Sequence, residues 1–208
     1  LGGVLDILAS FLPPKEIIMA MMRNPGVIDI CRAIILEKLN LMYKELSKIF
    51  ARYNLGYNSW LNAWSPEPWY PLQCDFSAML SPKLFRRFVL PDLRAQASQM
   101  KHAIYHLDGP NELPYIDDLL SSPEITGIQW VPGSQGPPNE HEKWTPLYNK
   151  IQNAHKNIII SCSGEAVAKM YHDFDPKGLL ISTAYNSQIM AEFFLPKFVG
   201  GMEGIEPE

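Results

Sequence analysis

The chain has 208 residues, of which 47% are apolar and 19% are charged, and its formal net charge is −4 at pH 7. This size and composition are typical of a protein with a hydrophobic core and exclude a disordered or fibrous chain. Lysine and arginine occur singly, without the basic stripe that binds a phosphate backbone, so we expect no nucleic-acid partner. No apolar run approaches the ~20 residues that cross a bilayer, so we expect no membrane partner.

The cysteine pattern indicates a reducing compartment. Cys31, Cys74 and Cys162 are an odd number, widely spaced and without a C-x-x-C pair. Reduced thiols fit this pattern better than a disulfide framework, so the sequence predicts a cytoplasmic protein.

The N-terminal half predicts two strands and two helices. Leu1–Phe11 is an apolar run predicted as a buried strand, and Tyr57–Trp64 is predicted as a second strand. Between them Asn24 is predicted to cap a helix that begins at Pro25. Its apolar face recurs at three- and four-residue steps: Ile28, Cys31, Ile35, Leu39, Met42, Leu46, Ile49 and Tyr53. Ser65–Leu80 is predicted as an aromatic loop, and Ser81 and Pro82 open a helix that Pro91 kinks or breaks.

The C-terminal half alternates between strands and helices. The predicted strands are Ala103–Leu107, Gly127–Val131, Asn157–Ser161 and Leu179–Thr183. The predicted helices are Glu112–Leu120, Glu142–Ala154, Glu165–Phe174 and Ile189–Phe198. Apolar strands joined by helices indicate a parallel α/β sheet. Neither a dinucleotide-binding fingerprint nor a P-loop follows any strand, so a (β/α) barrel is the favoured fold.

Polar residues follow the strands, where barrel enzymes place their chemistry. His106 and Asp108 are two apart, so their side chains leave one face of the strand and could bind a metal or act as an acid/base pair. Alternatively, Asp108 caps the next helix and His106 is a structural residue. Cys162 is either a metal ligand or nucleophile, with a pKa lowered by a helix N-terminus, or an inert thiol. Cys74 and Asp75 are further candidates, with a loop thiol and a turn residue as the alternative.

Aromatic residues cluster around the same predicted edge and could line a pocket for a flat or methylated ligand. Packing alone is the alternative. The residues concerned are Trp60, Trp64, Trp69, Tyr70, Phe76, Trp130 and Tyr185.

Five runs of the chain resemble the uroporphyrinogen decarboxylase superfamily of (β/α)8 barrels. They are LDILASF, AMMRNPGVIDICRAIILEKLNLMYKEL, CDFSAMLSPKLFRRFVLPDL, IYHLDGP and GIQWVPG. The resemblance extends from Leu1 to about Ser187. It implies either cofactor-independent decarboxylation of a porphyrinogen or zinc-dependent methyl transfer between a corrinoid protein and a thiol or another acceptor.

Departures from the decarboxylase pattern favour methyl transfer. Phe11 stands where the decarboxylases have a tyrosine, Asp75 stands where they have a serine, and the last predicted strand lacks their histidine. Tyr105–Gly109 resembles the His-x-Cys-Gly zinc motif of the methyltransferases, with Asp108 in the cysteine position.

The preferred hypothesis is therefore a methyltransferase-type enzyme in which His106, Asp108 and Cys162 hold zinc. Asp75 would be a further catalytic residue, and the substrate would be a small molecule or a corrinoid protein. The substrate-binding residues would be Trp64, Trp69, Cys74, Trp130 and Tyr185. The first alternative is a decarboxylase without a cofactor, with Asp75 and His106 as acid/base groups. The second is a non-catalytic barrel that binds a tetrapyrrole or corrinoid, and a homodimer is compatible with each.

The length also predicts an incomplete barrel. A (β/α)8 barrel commonly needs about 250 residues, and the chain supplies about six of its eight strands. Residues 1–208 would then be the C-terminal two-thirds of one barrel, truncated at the N-terminus. Such a piece would have two exposed sheet edges, so we expect it to be inactive by itself.

Overall fold

The computed structural model describes residues 2–134 and 136–193, in which seven strands form two sheets. The strands are β1 (Tyr57–Asn58), β2 (Trp64–Ser65), β3 (Trp69–Leu72), β4 (His102–Asp108), β5 (Gly127–Val131), β6 (Asn157–Ser161) and β7 (Leu179–Ser182). β1 and β2 pair as an antiparallel hairpin. The other five form one parallel sheet in the order β3-β4-β5-β6-β7, so β3 and β7 are its edges in the described part. This α/β architecture is compatible with a partial barrel.

Three helices precede the first strand, and five further helices lie between the strands of the parallel sheet, as the alternating pattern of the C-terminal half predicts. They are α1 (Val4–Ala9), α2 (Pro14–Arg23), α3 (Pro25–Tyr53), α4 (Pro82–Phe88), α5 (Leu90–Ala97), α6 (Ile116–Leu120), α7 (Thr145–Asn153) and α8 (Val167–Asp173). Short 3-10 turns precede α6, α7 and α8. Residues 188–193 are helical, and the remainder of the predicted helix Ile189–Phe198 lies outside the described residues. No described helix has both the length and the apolar content of a membrane span.

The prediction of a strand over Leu1–Phe11 is wrong, because this segment contains α1. Val4, Leu5 and Leu8 are buried together at helical spacing, whereas a strand would place Val4 and Leu5 on opposite faces. Phe11 is 77% exposed beyond the end of α1. A second helix, α2, follows where no element was predicted.

The next two predictions are also wrong. Only the two ends of Tyr57–Trp64 are extended, and Asn62 between them has a positive φ that turns the chain. The predicted loop Ser65–Leu80 instead contains β3, which includes Pro71. A proline removes a ladder hydrogen bond, and β3 accommodates it because an edge strand pairs on one side only.

The helix boundaries predicted at Pro25, Pro82 and Pro91 agree with the structure better than the strands and the loop predicted for the N-terminal half. The Ser81 hydroxyl caps α4 by accepting from the Leu84 backbone N–H at 3.4 Å. α4 ends before Val89 and α5 carries Pro91 in its first turn, so the predicted break is confirmed. α3 begins at Pro25 as predicted, but the Asn24 side chain makes no cap hydrogen bond. Ile28 and Leu39 of the predicted apolar face are buried, and Cys31 and Ile35 are half-buried. The later residues of that face are exposed: Met42, Leu46, Ile49 and Tyr53.

The two faces of the parallel sheet have different environments. Ala103, Tyr105 and Leu107 of β4 point toward the helices and belong to the main core. The alternate residues His102, Ile104, His106 and Asp108 point to the other face. There a smaller apolar cluster covers the middle of the sheet, formed by Tyr57, Leu61, Trp69, Ile104 and Ile159. The carboxyl ends of the strands on this second face remain accessible, which positions the candidate site.

Candidate metal centre

Asp75, His106 and Asp108 come together at the carboxyl ends of β3 and β4. One ligand atom from each residue lies within 4.8 Å of the ligand atoms of the other two. Asp75 opens the 3-10 turn Asp75–Met79 that follows β3, and the other two residues end β4. One imidazole nitrogen and two carboxylates can bind a divalent cation. We call this group the Asp75–His106–Asp108 triad.

Strand alternation places His106 and Asp108 on one side of β4, as the sequence predicts, because Leu107 between them is fully buried in the main core. Asp75 is positioned by a contact that the sequence did not indicate. The Asp6 carboxylate of α1 accepts from the Asp75 backbone N–H at 3.3 Å and from the Phe76 backbone N–H at 2.8 Å. The helix that replaced the predicted first strand therefore holds the turn that carries Asp75.

The His106 ring is held by two neighbours. Its Nδ1 hydrogen-bonds the Gln129 side-chain oxygen of β5, and its edge packs against Trp60 with ring centroids 4.9 Å apart. Because an amide oxygen only accepts, the tautomer that makes this hydrogen bond carries its proton on Nδ1 and keeps a lone pair on Nε2. An oriented imidazole with one such lone pair is the form that binds metals.

Glu112 lies fully buried behind the triad. Its carboxyl group accepts hydrogen bonds from the Ser77 hydroxyl at 2.7 Å, the Tyr105 hydroxyl at 3.3 Å and the Asp108 backbone N–H at 3.2 Å. Burial raises the pKa of Glu112 to about 7, although these hydrogen bonds oppose the shift. Glu112 thus joins the end of β4 to the turn after β3. In the sequence Glu112 only begins the predicted helix Glu112–Leu120, and nothing in that pattern indicates a site residue.

The hydrogen bonds of Asp108 do not support its alternative role as a helix cap. The 3-10 turn Pro110–Tyr115 that follows has no side-chain cap. Asp108 instead adds negative charge to the site. Burial raises the pKa of Asp75, and Asp6 and Asp108 raise it further, against the opposing effect of His106. A bound divalent cation would offset this repulsion between carboxylates.

Cys162, the predicted third ligand, is not one of the three residues that the structure brings together as the triad. It follows β6, and α8 begins only at Val167, after the 3-10 turn Gly164–Ala166. Burial, reinforced by Glu140, raises the pKa of the Cys162 thiol to about 11. The expected lowering of this pKa is therefore wrong, since no α-helix N-terminus adjoins the thiol.

We expect Cys162 to alkylate about 100-fold more slowly than an unperturbed thiol at pH 7.5. A pKa of about 11 instead of 9.0 lowers the thiolate fraction by about two powers of ten. Iodoacetamide labelling followed by peptide mass spectrometry measures the rate, with a short cysteine peptide as reference. Equal rates for the protein and the peptide would contradict the raised pKa.

Three of the five predicted substrate-binding residues are buried in the two apolar clusters. Trp130 is fully buried against Trp144, with ring centroids 4.8 Å apart, and Cys74 lies in the same main core. Trp69 is buried in the smaller cluster, where its Nε1–H donates to the Tyr57 carbonyl at 2.9 Å. Packing, the alternative stated for the aromatic residues, accounts for Trp69 and Trp130.

The remaining two predicted residues also lie elsewhere. Trp64 is exposed on the hairpin, and with Trp69 it lines a cleft of about 350 Å³ near the amino ends of the strands. That cleft is at the opposite end of the sheet from the triad. Tyr185 is half-buried and contacts Gly164, close to Cys162. Trp60, another of the aromatic residues in the predicted cluster, contacts the triad through His106.

No protein-family model matches the chain, and no curated protein matches it. The resemblance to the uroporphyrinogen decarboxylase superfamily therefore stays a prediction. The geometry and donor chemistry of the Asp75–His106–Asp108 triad are the basis for a functional proposal.

Proposed function

We propose that this chain belongs to a zinc-dependent methyltransferase in which the Asp75–His106–Asp108 triad holds the metal. The convergence of the three ligand atoms within 4.8 Å carries the proposal. Zinc accepts imidazole nitrogen and carboxylate oxygen, and catalytic zinc sites commonly have three protein ligands and one position for substrate. The predicted ligand set changes in one respect, since Asp75 takes the place of Cys162.

Zinc bound here would lower the pKa of an acceptor thiol or polarise the methyl donor, so that transfer proceeds at neutral pH. The chain's own residues prepare the site. Gln129 holds the His106 ring through Nδ1, and the Asp6 carboxylate holds the turn that carries Asp75. Glu112 anchors the Asp108 backbone. The resemblance of Tyr105–Gly109 to the methyltransferase motif supports a corrinoid protein as methyl donor and a thiol as acceptor.

Zinc stoichiometry tests the metal site. After incubation with Zn²⁺ and dialysis, we expect about one zinc per wild-type chain by elemental analysis, because three ligands converge. His106→Ala and Asp108→Ala are expected to bind zinc at least tenfold more weakly, since each retains only two ligands. His172→Ala is the matched control, as this histidine is exposed outside the triad. The absence of zinc from the wild-type chain would contradict the proposal.

A second candidate, decarboxylation without a metal, is favoured by the raised pKa of Asp75, which brings the carboxyl group closer to acid/base work at neutral pH. Asp75 and His106 would then exchange protons with the substrate. Conversion of uroporphyrinogen to coproporphyrinogen in the presence of a chelator would establish it. Methyl transfer from methylcobalamin to a thiol that requires zinc would support the first proposal instead.

A further inference from the structure

A polar pocket of about 550 Å³ lies at the same edge of the sheet, beyond the triad. It is formed by the carboxyl ends of β6 and β7 and by the segment before α7. Its polar lining includes Asn139, Glu140, Ser161, Cys162 and Thr183. No lysine or arginine of the described residues lines it.

Glu140 is the charged group of this pocket. Its Oε2 atom is buried and has no hydrogen-bond partner among the described residues. No ion pair in the described part of the chain includes Glu140. Its negative charge contributes to raising the pKa of both Cys162 and Tyr148, so the electrostatic potential around these residues is negative. A buried acceptor without a partner is unfavourable, and a ligand donor would recover part of this cost.

Three neighbouring polar side chains already donate elsewhere. The Asn139 Nδ2 group donates to the Ser161 carbonyl at 2.7 Å, and the Tyr148 hydroxyl donates to Asn139 Oδ1 at 3.0 Å. The Thr183 hydroxyl donates to the Cys162 carbonyl at 2.9 Å. These donors are therefore not directed at Glu140. The Glu140 carboxylate is a hydrogen-bond acceptor, and a bound ligand could supply its donor.

We propose that this pocket binds a cationic N–H group, an ammonium or a guanidinium, at the Glu140 carboxylate. Such groups combine positive charge with several donors and match a carboxylate acceptor. Pro132 lines both this pocket and the cleft of about 300 Å³ that contains Asp108. A ligand held at Glu140 would thus extend toward the triad. The idea that this ligand is part of a substrate rests on the proposed function, whereas the cation site itself does not.

An NMR titration of the full chain tests the cation site. Ethylammonium and guanidinium chloride are added at constant ionic strength, with a chelator present, and the backbone amide signals of Cys162 and Ser163 are followed. We expect saturable shifts in the millimolar range for both cations. Glu140→Gln keeps the side-chain shape and removes the charge, so it should weaken binding at least tenfold. Sodium acetate, an anion of similar size, should give no saturable shift.

Glu142→Gln is the matched control, because it removes the same charge from an exposed side chain outside the pocket. It should bind both cations as the wild type does. Glu140→Asp, which shortens the side chain, should bind with intermediate affinity and gives a second reading if the glutamine variant fails to fold. Absent saturation in the wild type, or equal affinity in Glu140→Gln, would overturn the cation site. Zinc stoichiometry is measured separately, so the two proposals fail by different results.

Discussion

An Arg32→Met variant is expected to lose about 3–5 kcal/mol of unfolding free energy, because it leaves a carboxylate buried without its cation. Arg32 in α3 donates to both carboxylate oxygens of Asp92 in α5, through Nε at 2.9 Å and through a terminal nitrogen at 2.8 Å. Both side chains are only 9% exposed. Burial raises the pKa of Asp92, while Arg32 opposes this shift. The pair connects the long helix to the helices beneath the sheet.

Urea unfolding at pH 7 measures this loss. In the Asp92→Leu/Arg32→Met double variant both charges are gone, so most of the stability should return. Arg86→Met is the matched surface control. It breaks the Arg86–Asp118 pair, in which the arginine side chain is 58% exposed and its charge is screened by solvent, so it should cost far less stability. Equal losses for Arg32→Met and Arg86→Met would contradict the role assigned to the buried pair.

The wild-type chain is expected to lose up to about 3 kcal/mol of unfolding free energy between pH 5 and pH 8 through Glu112. The folded-state pKa of Glu112 is about 7, against an ordinary glutamate value of 4.5. The folded state therefore keeps a proton that the unfolded state has released. This contribution is fully present below the unfolded pKa and is lost as pH rises through the folded pKa. The difference between these two pKa values, at about 1.36 kcal/mol for each pKa unit, sets the upper limit of the loss.

A Glu112→Gln variant should show a smaller loss over the same pH range, because its amide does not titrate. Unfolding is measured with a chelator present, since metal binding at the triad would itself depend on pH. Asp75, whose pKa is also raised, contributes a loss of the same sign and remains in the variant. Glu142→Gln, a change at an exposed glutamate, should keep the wild-type pH dependence. An unchanged slope in Glu112→Gln would show that its burial does not govern the titration.

The C-terminal strands were predictable from the sequence because each is a short apolar run, and the middle residues of β4, β5 and β6 are buried on both faces. Gly127–Val131 and Asn157–Ser161 have the predicted bounds, and the other two predicted strands differ by one residue at one or both ends. Continuous apolar runs between helices have few other stable arrangements. Alternation along β4 likewise sufficed to place His106 and Asp108 on one face. The convergence of Asp75 with this pair, rather than of Cys162, was not predicted.

Tertiary contacts determined the secondary structure at the N-terminus and the arrangement of the residues around the triad. Val4–Ala9 is apolar enough for a strand or a helix, and packing against α3 and the turn Asp75–Met79 selects the helix. Asp6 then reaches a backbone N–H 69 residues away in the chain, at Asp75. Glu112 and Gln129 also act through partners on other elements. Sequence periodicity reports which face of an element is apolar, but which distant groups meet that face depends on the packing of the whole fold.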